Sequence, residues 1–344
     1  MAVNVPDHRE ALERFLAKAA GQPGLKINNL DRLTGGTMQQ NWRVDVQWPG
    51  GTACWVLRTS EAMGIELGLE PAQEYEVMKA AHGVGVKLPT PLWHCSDPAV
   101  LGQDFFIMEF LDGIVAPHKL FAAAAREGWC RESIVEQLGE ELGRMQAVRP
   151  GPGVLPFFKS PPRHVAIEAI ARARAYLDSH ELPHPTIEAG LRWLERNAPP
   201  LDDDVVLCHG DFRTGNYMVK DGQLRGILDW GSVHWGDPYE DLGWMCLRFF
   251  RFGNIHLEAG GMADREPLLR GYERTSGRRV DPELMRYWDI MADIAWAMVS
   301  LQQAVRYTSG AVDSFELALV GLSTAEIEME TLDRINRREG LRPA

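Results

Sequence analysis

The spacing of apolar positions changes character about a third of the way along the chain. Residues 7–20 put Leu12, Phe15, Leu16 and Ala19 on one face, the periodicity of a short amphipathic helix. Three strand-like runs follow, 27–33, 41–48 and 53–59, with Pro49-Gly50-Gly51 as the turn between the last two. Residues 70–81 return to helical spacing through Tyr75, Met78 and Ala81. Pro89 and Pro91 then mark a turn, and 105–110 is another apolar strand run. This part predicts an antiparallel sheet with one inserted helix. Further on, 133–148 repeats Ile134, Leu138, Leu142 and Met145, and 282–307 repeats Leu284, Trp288, Met291, Met298, Leu301 and Val305. Asp281 caps that second helix and Pro282 takes its first position. Its wide apolar stripe belongs to a core helix. The Pro- and Gly-rich stretch 150–162 reads as a surface loop. The expected architecture is α+β in two lobes, a sheet lobe over 1–111 and a mainly helical lobe over 112–344.

Length agrees with this division, since 344 residues suit about two domains of ordinary size. Thirty-six basic against 48 acidic residues give a net charge of −12. That balance lacks the basic footprint of a nucleic-acid-binding protein. The five cysteines, Cys54, Cys95, Cys130, Cys208 and Cys246, are odd in number and widely spaced, with no CxxC. They fit reduced thiols in a cytoplasm. The N-terminus has no basic segment followed by an apolar run, and no stretch approaches 18 apolar residues, so neither a signal peptide nor a membrane span is expected. His180-Glu181-Leu182-Pro183-His184 spells the HExxH zinc pattern, but Pro183 and Pro185 break the continuous helix that the pattern requires.

The chemistry is concentrated in 205–243. An apolar run ends in His209-Gly210-Asp211, and two short strand runs follow around Asp221-Gly222, a two-residue hairpin signal. A regular ladder from Lys220–Gln223 puts Asn216 opposite Ile227 and Thr214 opposite Asp229. Asn216 and Asp229 then share a face as diagonal neighbours at about 7–8 Å. An amide oxygen and a carboxylate so placed can converge on Mg²⁺, a hard cation that takes a few protein oxygens plus phosphate oxygens. Asp211, five residues ahead of Asn216, is placed to meet an acceptor hydroxyl. These are the parts of a phosphoryl-transfer site, and Asp229-Trp230-Gly231 follows them as a kinase's Asp-Phe-Gly follows its catalytic loop. Asp237 is expected to cap a helix starting at Pro238, with Asp241 bracing the loop at 209–211. No GxxxxGK[ST] is present, so a P-loop is excluded.

HGDFRTGN, ILDW and GDPYEDL, in this order and at these separations, resemble the aminoglycoside phosphotransferase and choline kinase superfamily. The resemblance covers nearly the whole chain and is nearest to the branch of hydroxyacyl-CoA kinase modules fused to acyl-CoA dehydrogenases. It implies a bilobal protein-kinase-like fold, ATP and Mg²⁺ as cofactors, Asp211 as catalytic base, and Asn216 and Asp229 as metal ligands. It also implies that His209 braces the loop. Gly35, Gly36 and Thr37 resemble the superfamily's nucleotide loop, with Gln39 near the position of its usual Asn. Arg58, ending an alternating strand, takes the place of the phosphate-binding cation, and Glu74 that of its helix partner. Met108, Glu109 and Phe110 resemble the hinge, where the backbone meets the adenine edge.

The acceptor is a small molecule with a hydroxyl group, and two classes compete. The net charge of −12 favours a cationic acceptor such as an aminoglycoside or choline. Arg248, Arg251, Arg274, Arg278 and Arg279, with Trp235, Tyr239, Trp244, Phe249 and Phe250 among the first of them, favour an anionic acceptor with an apolar arm, such as a hydroxyacyl-CoA. The rivals of another kind are an inactive nucleotide-binding module and a metal-dependent hydrolase built from His209, Asp211 and Asp229.

Overall fold

The structure, a computed structural model, describes residues 4–33, 39–60, 68–180, 183–200, 204–311 and 314–340. Its strands are β1 (Lys26–Arg32), β2 (Gln39–Trp48), β3 (Gly51–Ser60), β4 (Pro91–Cys95), β5 (Phe105–Glu109), β6 (Val206–Cys208), β7 (Tyr217–Lys220), β8 (Gln223–Ile227) and β9 (His234–Gly236). Its helices are α1 (Arg9–Ala19), α2 (Pro71–Gly83), α3 (Pro98–Leu101), α4 (Pro117–Glu127), α5 (Arg131–Met145), α6 (Val165–Ser179), α7 (Pro185–Arg196), α8 (Glu240–Met245), α9 (Arg265–Ser276), α10 (Pro282–Thr308), α11 (Phe315–Leu322) and α12 (Thr324–Arg338). They fall into two compact units. One comprises Met1–Trp129, Gly151–Phe157 and Gly215–Val233; the other comprises Cys130–Pro150, Phe158–Thr214 and His234–Ala344.

The first unit is built on a five-stranded antiparallel sheet in the order β1-β2-β3-β5-β4. Alternation makes it: along β2, Trp42, Val44 and Val46 are buried between half-exposed Arg43 and Asp45, and they pack with Leu57, Phe105, Ile107 and the Leu12 and Leu16 face of α1. The strand β4 lies where two prolines read as a turn. Pro91 is its first residue and β4 is an edge strand, the place where a strand tolerates proline. Glu70 caps α2 through a capping box with Gln73, and Pro71 begins the helix.

The hairpin β7–β8 also belongs to this unit. Asp221 and Gly222 both have positive φ, 51° and 70°, the geometry of a two-residue primed turn. The ladder starts as expected at Lys220↔Gln223 and then slips: Val219 pairs with Leu224 but Met218 pairs with Gly226, leaving Arg225 as a bulge. Gly226 allows this, since a Cβ there would come within 2.8 Å of Leu111 and 3.1 Å of the Leu88 backbone. The slip corrects the expected register. Asn216 stands across from Leu228, whose amide donates to the Asn216 carbonyl at 2.8 Å, and not across from Ile227.

The second unit is mainly helical. Its core gathers α6, α7 and the long α10, which Asp281 caps by accepting the Glu283 amide at 2.7 Å. The helices α5 and α9 pack at very short range through glycines; a Cβ on Gly139 or Gly271 would fall 2.0 Å from a carbonyl of the facing helix. The pair β6–β9 sets Cys208 opposite His234 and so fixes where the loop at 209–211 leaves the sheet. The helix after Asp237 begins at Glu240, not Pro238. Asp237 instead closes the turn before it: its carboxylate accepts the Tyr239 amide at 2.9 Å, and its own amide donates to the Glu240 carboxylate at 2.7 Å. His180 follows the end of α6 and His184 precedes α7, so the HExxH letters do not lie on one helix. No described helix is long and apolar enough to cross a membrane.

Candidate active site

In the first unit, β3 and α2 bring Arg58 and Glu74 together. Both are almost fully buried, at 6% and 1% exposure, and their ion pair closes at 2.7 Å, with a second bond from Arg58 Nε at 2.9 Å. The same guanidinium reaches Asp229 Oδ1 at 2.9 Å. Burial works against the Arg58 charge, but Glu74 and Asp229 outweigh it and hold the guanidinium above its ordinary range. Asp229 is half-exposed and sits at φ 64°, ψ 69°, a left-handed conformation that costs a non-glycine residue energy. Its side-chain direction is therefore set by that backbone and not by the pleat of β8, the second reason why the regular-ladder derivation does not hold. Asn216 is buried at the entry to β7.

Asn41, the cross-strand partner of Arg58, carries a buried amide oxygen with no hydrogen-bond partner among the described residues. The only sequence signal for it is its place two residues after Gln39. Met108 and Glu109 close β5, the Glu109 amide donates to the Thr90 carbonyl at 2.9 Å, and the Phe110 ring stacks under the Arg43 guanidinium at 4.9 Å. Gly35, Gly36 and Thr37 lie outside the described residues.

In the second unit, His209-Gly210-Asp211 is held from behind by α8. The wholly buried Asp241 accepts the His209 amide at 2.7 Å and the Gly210 amide at 3.0 Å. Burial pushes its carboxyl up, against the pull of His209 and those two amides. The buried His209 ring accepts the Asp211 amide through Nδ1 at 3.3 Å. Asp211 Oδ1 accepts two donors, Arg213 Nε at 2.8 Å and Trp244 Nε1 at 3.0 Å. Arg213 and Trp244 both lean on Phe250, at 4.8 Å and 6.1 Å, and Trp244 meets Trp296 edge-on. Two donors converging on one oxygen, with an aromatic backing, hold Oδ1 in place. Replacing Asp241 with alanine leaves two amides unpartnered, and we expect a loss of about 2–5 kcal/mol in unfolding free energy, read by chemical denaturation.

The donor set suits a hard cation on the first unit: an Asn and an Asp offer oxygen ligands beside a guanidinium suited to phosphate. Among the described residues no group of three or more His, Cys, Asp or Glu could hold a metal.

A five-stranded antiparallel sheet followed by a mainly helical part is the kinase-like architecture of small-molecule phosphotransferases. The chain belongs to the Phosphotransferase enzyme family, whose profile matches residues 30–288. It is similar to acyl-CoA dehydrogenase family member 11 of Rattus norvegicus, 26% identical over 278 residues, which are 77% of this chain and 35% of that protein. The chain thus spans about a third of the length of such a relative. A crystal structure of a Ralstonia eutropha protein assigned to the aminoglycoside phosphotransferases superposes with TM-score 0.76 at 23% identity, covering 95% of this chain and 98% of that one. Spectinomycin phosphotransferase in complex with ADP and spectinomycin superposes with TM-score 0.54 at 13% identity, covering 92% and 98%.

Proposed function

We propose that the protein transfers the γ-phosphoryl group of ATP to the hydroxyl group of a small molecule. The observation that carries this reading is the buried Arg58 guanidinium shared between Glu74 and Asp229, a charge arrangement that kinases use at the nucleotide phosphates. In this reading Arg58 binds phosphate oxygens, and residues 35–37 with Met108, Glu109 and Phe110 take the rest of the nucleotide. Asn216 and Asp229 would hold Mg²⁺, which offsets phosphate charge when bound. Asp211, oriented by Trp244 and Arg213, takes the proton of the acceptor hydroxyl. The ADP complex of spectinomycin phosphotransferase supports a nucleotide cosubstrate. The free cysteines, three of them buried, support a cytoplasmic setting.

For the acceptor we favour an anionic molecule with an apolar arm, of the hydroxyacyl-CoA kind. Arg213 and Trp244 hold Asp211, and Phe250 packs against both of them, so a cation and apolar rings stand next to the carboxylate. The names of the full-length relatives point to acyl-CoA chemistry as well. The test is ADP release with MgATP over a panel of hydroxyacyl-CoAs, choline analogues and aminoglycosides. We expect the highest kcat/KM with a hydroxyacyl-CoA. An aminoglycoside turned over faster reverses the acceptor assignment; nucleotide binding with no turnover on any acceptor, or ester cleavage without ATP, ends the kinase reading.

A further inference from the structure

A cavity of about 380 Å³ opens in the second unit beside the turn that leads into α8. Its size falls in the range of small-molecule sites, about 300–1,000 Å³. Val165, Pro199, Pro200 and Leu284 give it apolar walls. Its carboxylates are already engaged: Arg278 grips Asp204 with two bonds of 3.0 Å, Arg149 adds a third, and Asp237 accepts the Tyr239 amide. Its donors are not. Arg279 makes no hydrogen bond or ion pair among the described residues, and the Tyr239 hydroxyl accepts the Asp281 amide at 2.9 Å while keeping its own proton to give. Among the described residues, two arginines and two aspartates line the cavity, and with both aspartates engaged the polar groups left open to a ligand are the Arg279 guanidinium and the Tyr239 hydroxyl. A donor-rich, apolar-walled cavity selects an anion with an apolar body.

The same wall is mechanically tied to the loop at 209–211. Asp237, Pro238 and Tyr239 line the cavity and run straight into α8. Gln146 holds the Pro238 carbonyl at 2.9 Å, and Tyr239 anchors the cap of α10. The helix α8 carries Asp241 and Trp244, which hold the His209 and Gly210 amides and the Asp211 carboxylate. We propose that this cavity is an effector site for a small organic monoanion or phosphate monoester with an apolar body, and that occupancy stiffens the 209–211 loop through the 237–241 turn. The loop's importance for turnover rests on the proposed activity; the site and its coupling do not.

The probe is phenyl phosphate, with phenethylamine as a cation of similar size, titrated calorimetrically into the full chain saturated with MgADP. Saturable phenyl phosphate binding is expected, with none for phenethylamine. Arg279→Glu weakens it at least tenfold while its response to MgADP stays that of the wild type, and Leu284→Trp, which fills the cavity, also weakens it. Phenyl phosphate slows hydrogen exchange of the His209 and Gly210 amides severalfold in the wild type and not in Arg279→Glu. Absence of saturable binding, equal binding by Arg279→Glu, loss of binding when MgADP is present, or unchanged exchange at those two amides overturns the proposal. Failure of the kinase reading shows separately, in the acceptor panel.

Discussion

Asp211→Asn lowers turnover by about a thousandfold or more and leaves the fold and nucleotide binding in place. The size follows from the proposed role of Asp211 as base, since losing a positioned base costs about 10²–10⁴ in rate. Asparagine has the shape of aspartate and its carbonyl still accepts the Trp244 indole, so the loop keeps its support from α8. The amide cannot take up a proton from an acceptor hydroxyl, and it no longer balances the Arg213 charge. The measurement is kcat with the best acceptor of the panel, beside the thermal shift produced by MgADP. We expect the shift to match the wild type while kcat collapses. Turnover within tenfold of the wild type, with the shift intact, removes Asp211 from the chemistry.

The second large effect concerns stability as well as activity. Arg58→Met removes the cation that faces Glu74, and Glu74 is almost wholly buried. A buried carboxylate left without its partner costs about 3–5 kcal/mol, whereas replacing both members of such a pair by apolar residues is often close to neutral. Arg58→Met alone should therefore unfold at markedly lower denaturant, and Arg58→Met with Glu74→Leu should recover most of the loss. If Arg58 binds the phosphates as proposed, neither variant should turn over ATP, because both lack that cation. The half-exposed contact with Asp229 adds little to the stability term. Urea denaturation of the four-member cycle checks the first statement and the acceptor assay the second. A double variant that recovers activity along with stability would show that Arg58 acts only as a structural cation.

The strands of the first sheet were legible because β2 alternates cleanly between core and solvent and the turn at Pro49-Gly50-Gly51 sets β3 beside it, although β3 itself is buried without a break from Val56 to Thr59. The edge strand β4 was not, because Pro89 and Pro91 carry the same letters in a turn as at the start of an edge strand. In the hairpin, Asp221-Gly222 announced the turn but nothing announced the bulge. Arg225 and Gly226 adopt it because Gly226 must pass close to Leu88 and Leu111, a tertiary demand that local pattern does not carry. The same holds for Asp229, whose left-handed backbone redirects a side chain that strand periodicity had aimed. Asp241 was readable as a brace from its place after the Asp237 turn, and its two bonds to the loop amides bear that out. The role of Trp244 was not readable, because among Trp235, Tyr239, Phe249 and Phe250 it read as part of an apolar acceptor surface, and only the structure brings its ring nitrogen 3.0 Å from Asp211.

The first unit is assembled from three separate stretches of chain, and its last stretch ends at Val233. Ile114 trades two backbone bonds with Val219, the Ile227 amide reaches Lys87, and the Leu69 amide reaches Gly231. A ribosome must therefore deliver about two-thirds of the polypeptide before the five-stranded sheet has all its neighbours. Until then the nascent segment ending at Trp129 holds Arg58 and Glu74 without Asp229, and its hydrophobic surface under the absent hairpin is open to chaperones. A gene fragment stopped at residue 129 should for that reason be a poor stand-alone protein, however complete its five strands look on paper.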